Sequence, residues 1–338
     1  MQRQRLADLS EEAILARILP FLHAGPEVLV APGDDAAVVM TGSRTVVTTD
    51  SMVRGRDWRD DWSSGSDVGH KVVAQNIADV AAMGARCTGL VVAVAADPMT
   101  QMAWLEDLAL GIGDAAAEAS VSVVGGDLSS APHGALLVTV TAFGDLQGRE
   151  PVLRSGARVG DVVAVCGTLG WSGGGLWLYA EGVLPPALTA DSSALDRARS
   201  VLQWTHRTAA RPPYESGPLA ADSGATSLID VSDGLVRDAG RVAVASGVEI
   251  TLDGAALRAE VRSGPLGIAL GSVEGLRQVL SGGEEHCLLA TFPPARVPPD
   301  DRTPWRVIGR VVPAGAAGPR VTLDGAVPEV TGWDHFAG

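Results

Sequence analysis

Short runs rich in β-branched residues punctuate the chain, and several close on an aspartate. They are TVVTTD (45–50), LVVAVAAD (90–97), VSVVGGD (121–127), ALLVTVTAFGD (135–145), DVVAVCG (161–167) and SLIDVSD (227–233). Runs of this length and composition predict strands. Stretches with helical spacing lie between several of them, at 67–84, 101–119, 173–182 and 234–246. Strands alternating with helices predict an α/β or α+β protein. At 338 residues the chain is too long for one ordinary core and suits two domains. The stretch DLQGREPVLRSGARVG (145–160), rich in Gly and Arg, sits between two strand signals. It is the predicted boundary, dividing an N-terminal half (1–148) from a C-terminal half (149–338). Segments 183–196, 209–225 and 291–304 carry Pro and polar residues and read as loops.

Charge and cysteine usage exclude several classes. The net charge of −14, with no Lys/Arg run, argues against nucleic acid as a partner, because phosphate contacts dominate such binding. Three scattered cysteines, Cys87, Cys166 and Cys287, argue against a disulfide framework and against zinc. No apolar run is long enough to span a membrane, and the first residues lack a signal-peptide layout. The cytoplasm is the expected location.

The aspartates at strand ends carry the chemistry. Asp50, Asp127, Asp230 and Asp233 close or follow strands, and Asp34-Asp35 lie in a glycine turn before an apolar run. Turn and cap chemistry accounts for any one of them. Several in one chain, beside Thr48 and Thr49, make a hard-oxygen set suited to Mg²⁺. The helix predicted over 67–84 is apolar on nearly every side, with Lys71, Gln75 and Asp79 in one polar stripe. That stripe reads either as ligand-facing or as an internal polar network. Lys71 is the only lysine, and no G-x-x-x-x-G-K-[ST] occurs, so a P-loop is excluded. Polyphosphate handling would therefore need metals and arginine. The run GTLGWSGGG (167–175) lacks dinucleotide spacing and reads as a strand-to-helix turn.

In order along the chain, PGDDAAVV, TTDSMVRGR, VGHKVVAQNIADVAAMGA, VVGGDLSS, VLRSGARVGD, IDVSDGLVRD, LSGGEEH and GWDHF resemble the thiamine-monophosphate kinase family. The match runs from about residue 28 to the C-terminus. Individual motifs are shared with the wider aminoimidazole ribotide synthetase-like superfamily. The resemblance implies a two-domain fold of that superfamily, α+β then α/β, and a homodimer in which N-terminal sheets pair. It implies Mg²⁺-dependent transfer of the ATP γ-phosphoryl group to thiamine monophosphate, giving thiamine diphosphate and ADP. Carried over by position, the metal ligands are Asp35, Thr48, Thr49, Asp50, Asp79, Asp127, Asp230 and Asp233, with Asp34 second to Asp35. Nucleotide contacts fall on Gly126, Asp127, Arg154 and Ser232, with Asp127 and Arg154 catalytic. Substrate contacts fall on Asp57, Glu284 and Trp333.

The chain departs from the family pattern in three places. Asp57 stands where a histidine is usual, Glu285 stands where an aspartate is usual, and no aromatic residue precedes VGGD. The acceptor phosphate, with a second pKa near 6, needs no general base, so the lack of an obvious catalytic histidine fits transfer chemistry. Trp333, and Trp58 or Trp62, could stack on a flat cationic ring, although packing is the ordinary role for each. The alternatives are another ATP enzyme of the superfamily and a non-catalytic nucleotide-binding relative.

Overall fold

The structure, a computed structural model, describes residues 44–209, 214–299, 304–330 and 332–333. Nearer the start it describes 4–5, 8–9, 14, 17–21, 25, 28–30, 38–40 and 42. The chain divides into two compact units, residues 1–80 with 86–148 and residues 81–85 with 149–338.

The first unit opens with a ribbon of β1 (Val28–Val30) and β2 (Val38–Val39). There follow β3 (Thr45–Val53), α1 (Gly65–Ala82), β4 (Arg86–Ala96), α2 (Met102–Glu118), β5 (Ser122–Ser130) and β6 (Leu136–Asp145). Strands 3 to 6 form one sheet in the order β3-β6-β4-β5, with only the β4/β5 pair parallel. Burial alternates along the sheet: Leu136, Val138, Val140 and Ala142 are buried on β6, whereas Val47 on β3 is 58% exposed. A period of two with one apolar face is what a half-covered sheet requires. Helix α1 buries Val68, Val72, Val73, Ile77, Ala78 and Val80. It meets α2 backbone to backbone. A Cβ on Gly69 would lie 2.6 Å from the Ile112 nitrogen, and one on Gly111 would lie 2.2 Å from the Ser66 carbonyl oxygen. Glycine at these crossing points lets the helices approach closer than side chains allow.

The second unit contains β7 (Val162–Cys166), α3 (Trp171–Ala180), α4 (Ala194–Thr208), α5 (Ser216–Asp222), β8 (Ser227–Val231), α6 (Leu235–Ser246), β9 (Val248–Leu252), α7 (Gly254–Ser263), α8 (Pro265–Ser281), β10 (Cys287–Phe292), β11 (Arg306–Pro313) and β12 (Arg320–Leu323). Its sheet has the order β12-β9-β11-β7-β10-β8. Alternate residues enter two different cores. Val163, Val165, Ile229, Val231 and Leu289 join one cluster, while Ala164, Cys166, Leu228, Leu288 and Phe292 join the other. Burial on both faces explains the continuous apolar runs of β7, β8 and β10. Helix α5 lies in a segment that reads as loop, and β9, β11 and β12 carry no clear strand signal. The polar members Glu249 and Arg320 explain part of this, since they are paired across β9 and β12 at 2.8 Å. No helix among the described residues is long and apolar enough to cross a membrane.

Candidate active site

Thr48, Thr49 and Asp50 follow one another on β3, so neighbouring side chains leave the sheet on opposite faces. The Thr48 hydroxyl donates to Asp79 Oδ2 on α1 at 2.8 Å. Asp50 shares that face by alternation. Thr49 faces the other way, where its hydroxyl donates to the Val140 carbonyl and lies 3.0 Å from Thr141 Oγ1.

Asp127 shares the open face with Thr49, and a β-bulge is the reason. Leu90 of β4 pairs with Val123, but Val91 pairs with Gly125, leaving Val124 as the extra residue. In an unbroken register Asp127 would oppose Val94, which is buried. The bulge moves it opposite Ala93 and into the open. Ser129 Oγ donates to Asp127 Oδ2 at 2.7 Å. Gly126 is required beside it, because a Cβ there would lie 2.2 Å from the Val92 carbonyl oxygen. Strands β3 and β5 are the two edges of the sheet, three inter-strand steps or about 14 Å apart. The first unit therefore gathers Thr48, Asp50 and Asp79 but holds Thr49 and Asp127 elsewhere. Asp34 and Asp35 lie outside the described residues.

The polar stripe of α1 serves different partners at its two ends. Lys71 is buried, and its Nζ donates to the Asp57 carbonyl at 3.4 Å. Asp79, two turns on, holds Thr48. The Asp57 carboxylate accepts the Val53 N–H at 2.7 Å and closes the turn after β3. Trp58 is buried and stacks on Trp104 at 6.1 Å, an ordinary packing role. Trp62 lies under the Arg59 guanidinium at 4.4 Å.

In the second unit the end of β8 collects residues from far along the chain. The Glu284 N–H donates to the Ser232 carbonyl at 2.6 Å, and the Trp333 N–H donates to the Asp233 carbonyl at 2.9 Å. Ser232, Asp233, Glu284 and Trp333 therefore surround one loop. Trp333 is 53% exposed. Glu284 and His286 both hold positive φ, +58° and +53°, a conformation costly for residues with a side chain and common at functional sites. Asp230 is buried beside His286, whose Nδ1 lies 3.3 Å from Asp230 Oδ2. His206 Nδ1 lies 3.4 Å from Glu284 Oε2.

Two further acids complete this end. Asp238 is fully buried; burial first, and the Asp230 charge second, push its carboxyl up to about 7, against the pull of Arg241. Its signal was present in the sequence as an i,i+3 acid–arginine pair with Arg241 on the predicted helix. Glu285 is also buried, and burial raises it, while Thr168 and the Ser172 N–H hold its carboxylate. It thus anchors the start of α3.

Arg154 is placed differently. It sits exposed in the single turn Arg154–Gly156, where Ser246 Oγ donates to its carbonyl at 2.8 Å. A Cβ on Gly156 would lie 1.7 Å from the Thr226 carbonyl oxygen, so the turn rests just before β8 begins. Ser232 follows the other end of that strand, six residues or about 20 Å away. The second unit does not bring these two expected nucleotide contacts together. The turn lines a cleft of about 690 Å³ with Pro151, Leu153, Asp222 and Thr226.

The acids and hydroxyls expected to hold a cation are all hard oxygen donors. Among the described residues no three His, Cys, Asp or Glu side chains gather into a closed metal cage. Mg²⁺ characteristically takes one or two carboxylates and completes its shell with water and substrate phosphates. The Asp79–Thr48 pair and the Asp230–Asp233 loop fit that habit.

Residues 33–146 match the family model described as AIR synthase related protein, N-terminal domain. The chain is 42% identical to a thiamine-monophosphate kinase of Mycobacterium tuberculosis, over 98% of this chain and 93% of that one. Among solved structures it resembles the thiamine-monophosphate kinase of Stenotrophomonas maltophilia K279a, with a TM-score of 0.76 and 28% identity, covering 95% of this chain and 98% of that one. It also resembles AaThiL complexed with AMPPCP and TMP, with a TM-score of 0.72 and 27% identity, covering 99% of this chain and 100% of that one.

Proposed function

The chain belongs to the thiamine-monophosphate kinase family, and from that membership we propose that it transfers the γ-phosphoryl group of ATP to the phosphate of thiamine monophosphate. The observation that carries the reading in the structure is the loop after β8, which pins Ser232, Asp233, Glu284 and Trp333 together. That loop joins a hydroxyl and a carboxylate suited to a metal–nucleotide pair with a carboxylate and an indole suited to a flat cationic substrate.

The acceptor monoester is largely dianionic at neutral pH, so no residue needs to remove a proton. His206 and His286, the histidines at this end, rest against Glu284 and Asp230 and are orienting groups. The barrier is repulsion between two anions. Mg²⁺, when bound, would screen that charge and align donor and acceptor. We assign Thr48, Asp50 and Asp79 to hold the cation in the first unit, with Asp127 and Thr49 on the open face. Asp230 and Asp233 take the same role in the second unit. Asp35 belongs to this proposed set, outside the described residues. Gly126 and Ser232 contact the nucleotide. Arg154, remote from Ser232, is assigned to a part of the nucleotide distant from the transferred group rather than to that group. Asp57 is assigned to shape the substrate edge through its turn, since its carboxylate is already used by Val53.

A homodimer is part of the proposal. The uncovered sheet face, with Val47 and the hydroxyls of Thr49 and Ser51, supports it, as does the separation of Asp50 and Asp127 on opposite edges. A cytoplasmic location, where thiols stay reduced, suits the three free cysteines.

The test is formation of ADP and thiamine diphosphate from ATP, Mg²⁺ and thiamine monophosphate by the purified chain. Failure with this acceptor, while another phosphorylated metabolite is consumed, would sink the assignment. Asp127→Asn is expected to abolish turnover with the melting temperature unchanged, and wild-type rates in that variant would remove Asp127 from the machinery.

A further inference from the structure

Asp233 is held by a closed ring of contacts from α6. Its backbone N–H donates to Asp238 Oδ2 at 2.9 Å. Asp238 Oδ1 accepts from Arg241 Nη1, and Arg241 Nη2 returns to Asp233 Oδ2. Arg237 Nε lies 3.8 Å from the same Oδ2. On the other side, the Asp233 carbonyl accepts the Trp333 N–H. A Cβ on Gly332 would lie 2.3 Å from that carbonyl oxygen, so the segment bearing Trp333 lies close against it.

Three features make this more than a surface ion pair. Asp238 is fully buried, so its carboxylate has no water to fall back on. Arg241 presents two nitrogens to two different carboxylates, and a planar fork fixes their relative orientation as a point charge cannot. The ring also includes a backbone amide, so it sets the path of the loop as well as the rotamer of Asp233.

We infer that Asp238 and Arg241 are positioning residues: through Asp233 they set the geometry with which the loop after β8 receives a divalent cation, and through the Asp233 carbonyl they fix the register of Trp333. The inference rests on the proposed role of Asp233 and extends it to two residues that act through Asp233. Removing an outer partner of a metal ligand typically costs about 10–100-fold in metal affinity.

The experiment is a double-mutant cycle on the full chain, with Mn²⁺ as the probe and AMPPCP present, read by calorimetry. Arg241→Ala is expected to weaken Mn²⁺ binding about tenfold, and Arg241→Lys to recover only part of the loss. In an Asp233→Asn background, Arg241→Ala is expected to change binding by less than about twofold, because the route through Asp233 is gone. An equal loss in both backgrounds would show Arg241 acting independently and overturn the inference, as would unchanged binding in Arg241→Ala. Should Arg241→Ala not fold, Arg241→Gln carries the same cycle. A wild-type chain that takes up no Mn²⁺ would overturn both the inference and the metal role of Asp233. Uptake by the wild type that is insensitive to Arg241 would overturn the inference alone.

Discussion

Glu285 shows how one methylene can be put to use. Its carboxylate reaches both the Thr168 hydroxyl and the Ser172 N–H, an amide in the first turn of α3 with no partner inside the helix. Burial raises its pKa above the ordinary 4.5, with Thr168 and Ser172 pulling the other way. The sign follows from proton counting. The folded chain keeps a proton on Glu285 at pH values where the unfolded chain has released it. The associated stability is complete below the ordinary glutamate range and is lost as pH rises through the folded value. Glu285→Gln is therefore expected to flatten the fall of melting temperature from about pH 4 upward. Parallel curves for the two proteins would remove this account. Asp57 offers the complementary lesson. It replaces a histidine of the family pattern, yet its carboxylate is spent on the Val53 amide within its own turn, a local use that the motif alone does not reveal.

Single elements carry the next level of control. Val124 is one extra residue on β5, yet it determines which face Asp127 occupies. A strand with period two converts any one-residue slip into a change of face. Deletion of Val124 is expected to turn Asp127 toward the buried side occupied by Val94 and to abolish turnover as fully as Asp127→Asn does. Retained turnover in the deletion, with the sheet intact by circular dichroism, would show that the bulge does not aim the carboxylate. Helix α1 works by a different rule. Its apolar faces are long enough to read from spacing, and it meets α2 through Gly69 on its own side and Gly111 on the α2 side. The polar stripe left two readings open, ligand-facing or internal. The structure gives each end its own partner, Asp57 for Lys71 and Thr48 for Asp79.

At the scale of the whole molecule, the three thiols mark how completely the cores are closed. Cys87, Cys166 and Cys287 are all buried. Burial pushes the Cys87 thiol up to about 12, and it raises Cys166 and Cys287 as well. The native chain is expected to show no rapid reaction with a disulfide reagent near pH 8, and three thiols once unfolded. A stoichiometric reaction in the native state would mean that one of the cores opens readily. This packing also explains which strands were legible. The runs of β7 and β8 are buried on both faces and read as apolar stretches, whereas β10, equally buried, is missing from the predicted strands. Strand β9 alternates with a paired Glu249, and its signal is lost among polar neighbours.

Although α4, α7 and α8 are missing from the predicted helices, helices α1, α2, α3 and α6, strands β3 to β8, the carboxylates at strand ends and the exclusion of a lysine phosphate loop are legible in the chain alone. These are properties of spacing, and spacing is written in the chain. Only the tertiary structure decided which face each acid occupies and which distant residue holds it. It set Arg154 at the opposite end of β8 from Ser232, gave Glu285 to a helix start 113 residues away, and closed Asp238 and Arg241 around Asp233. The physical reason is that a bulge, a buried charge or a strand's two ends acquire meaning only when non-local pairing fixes their surroundings.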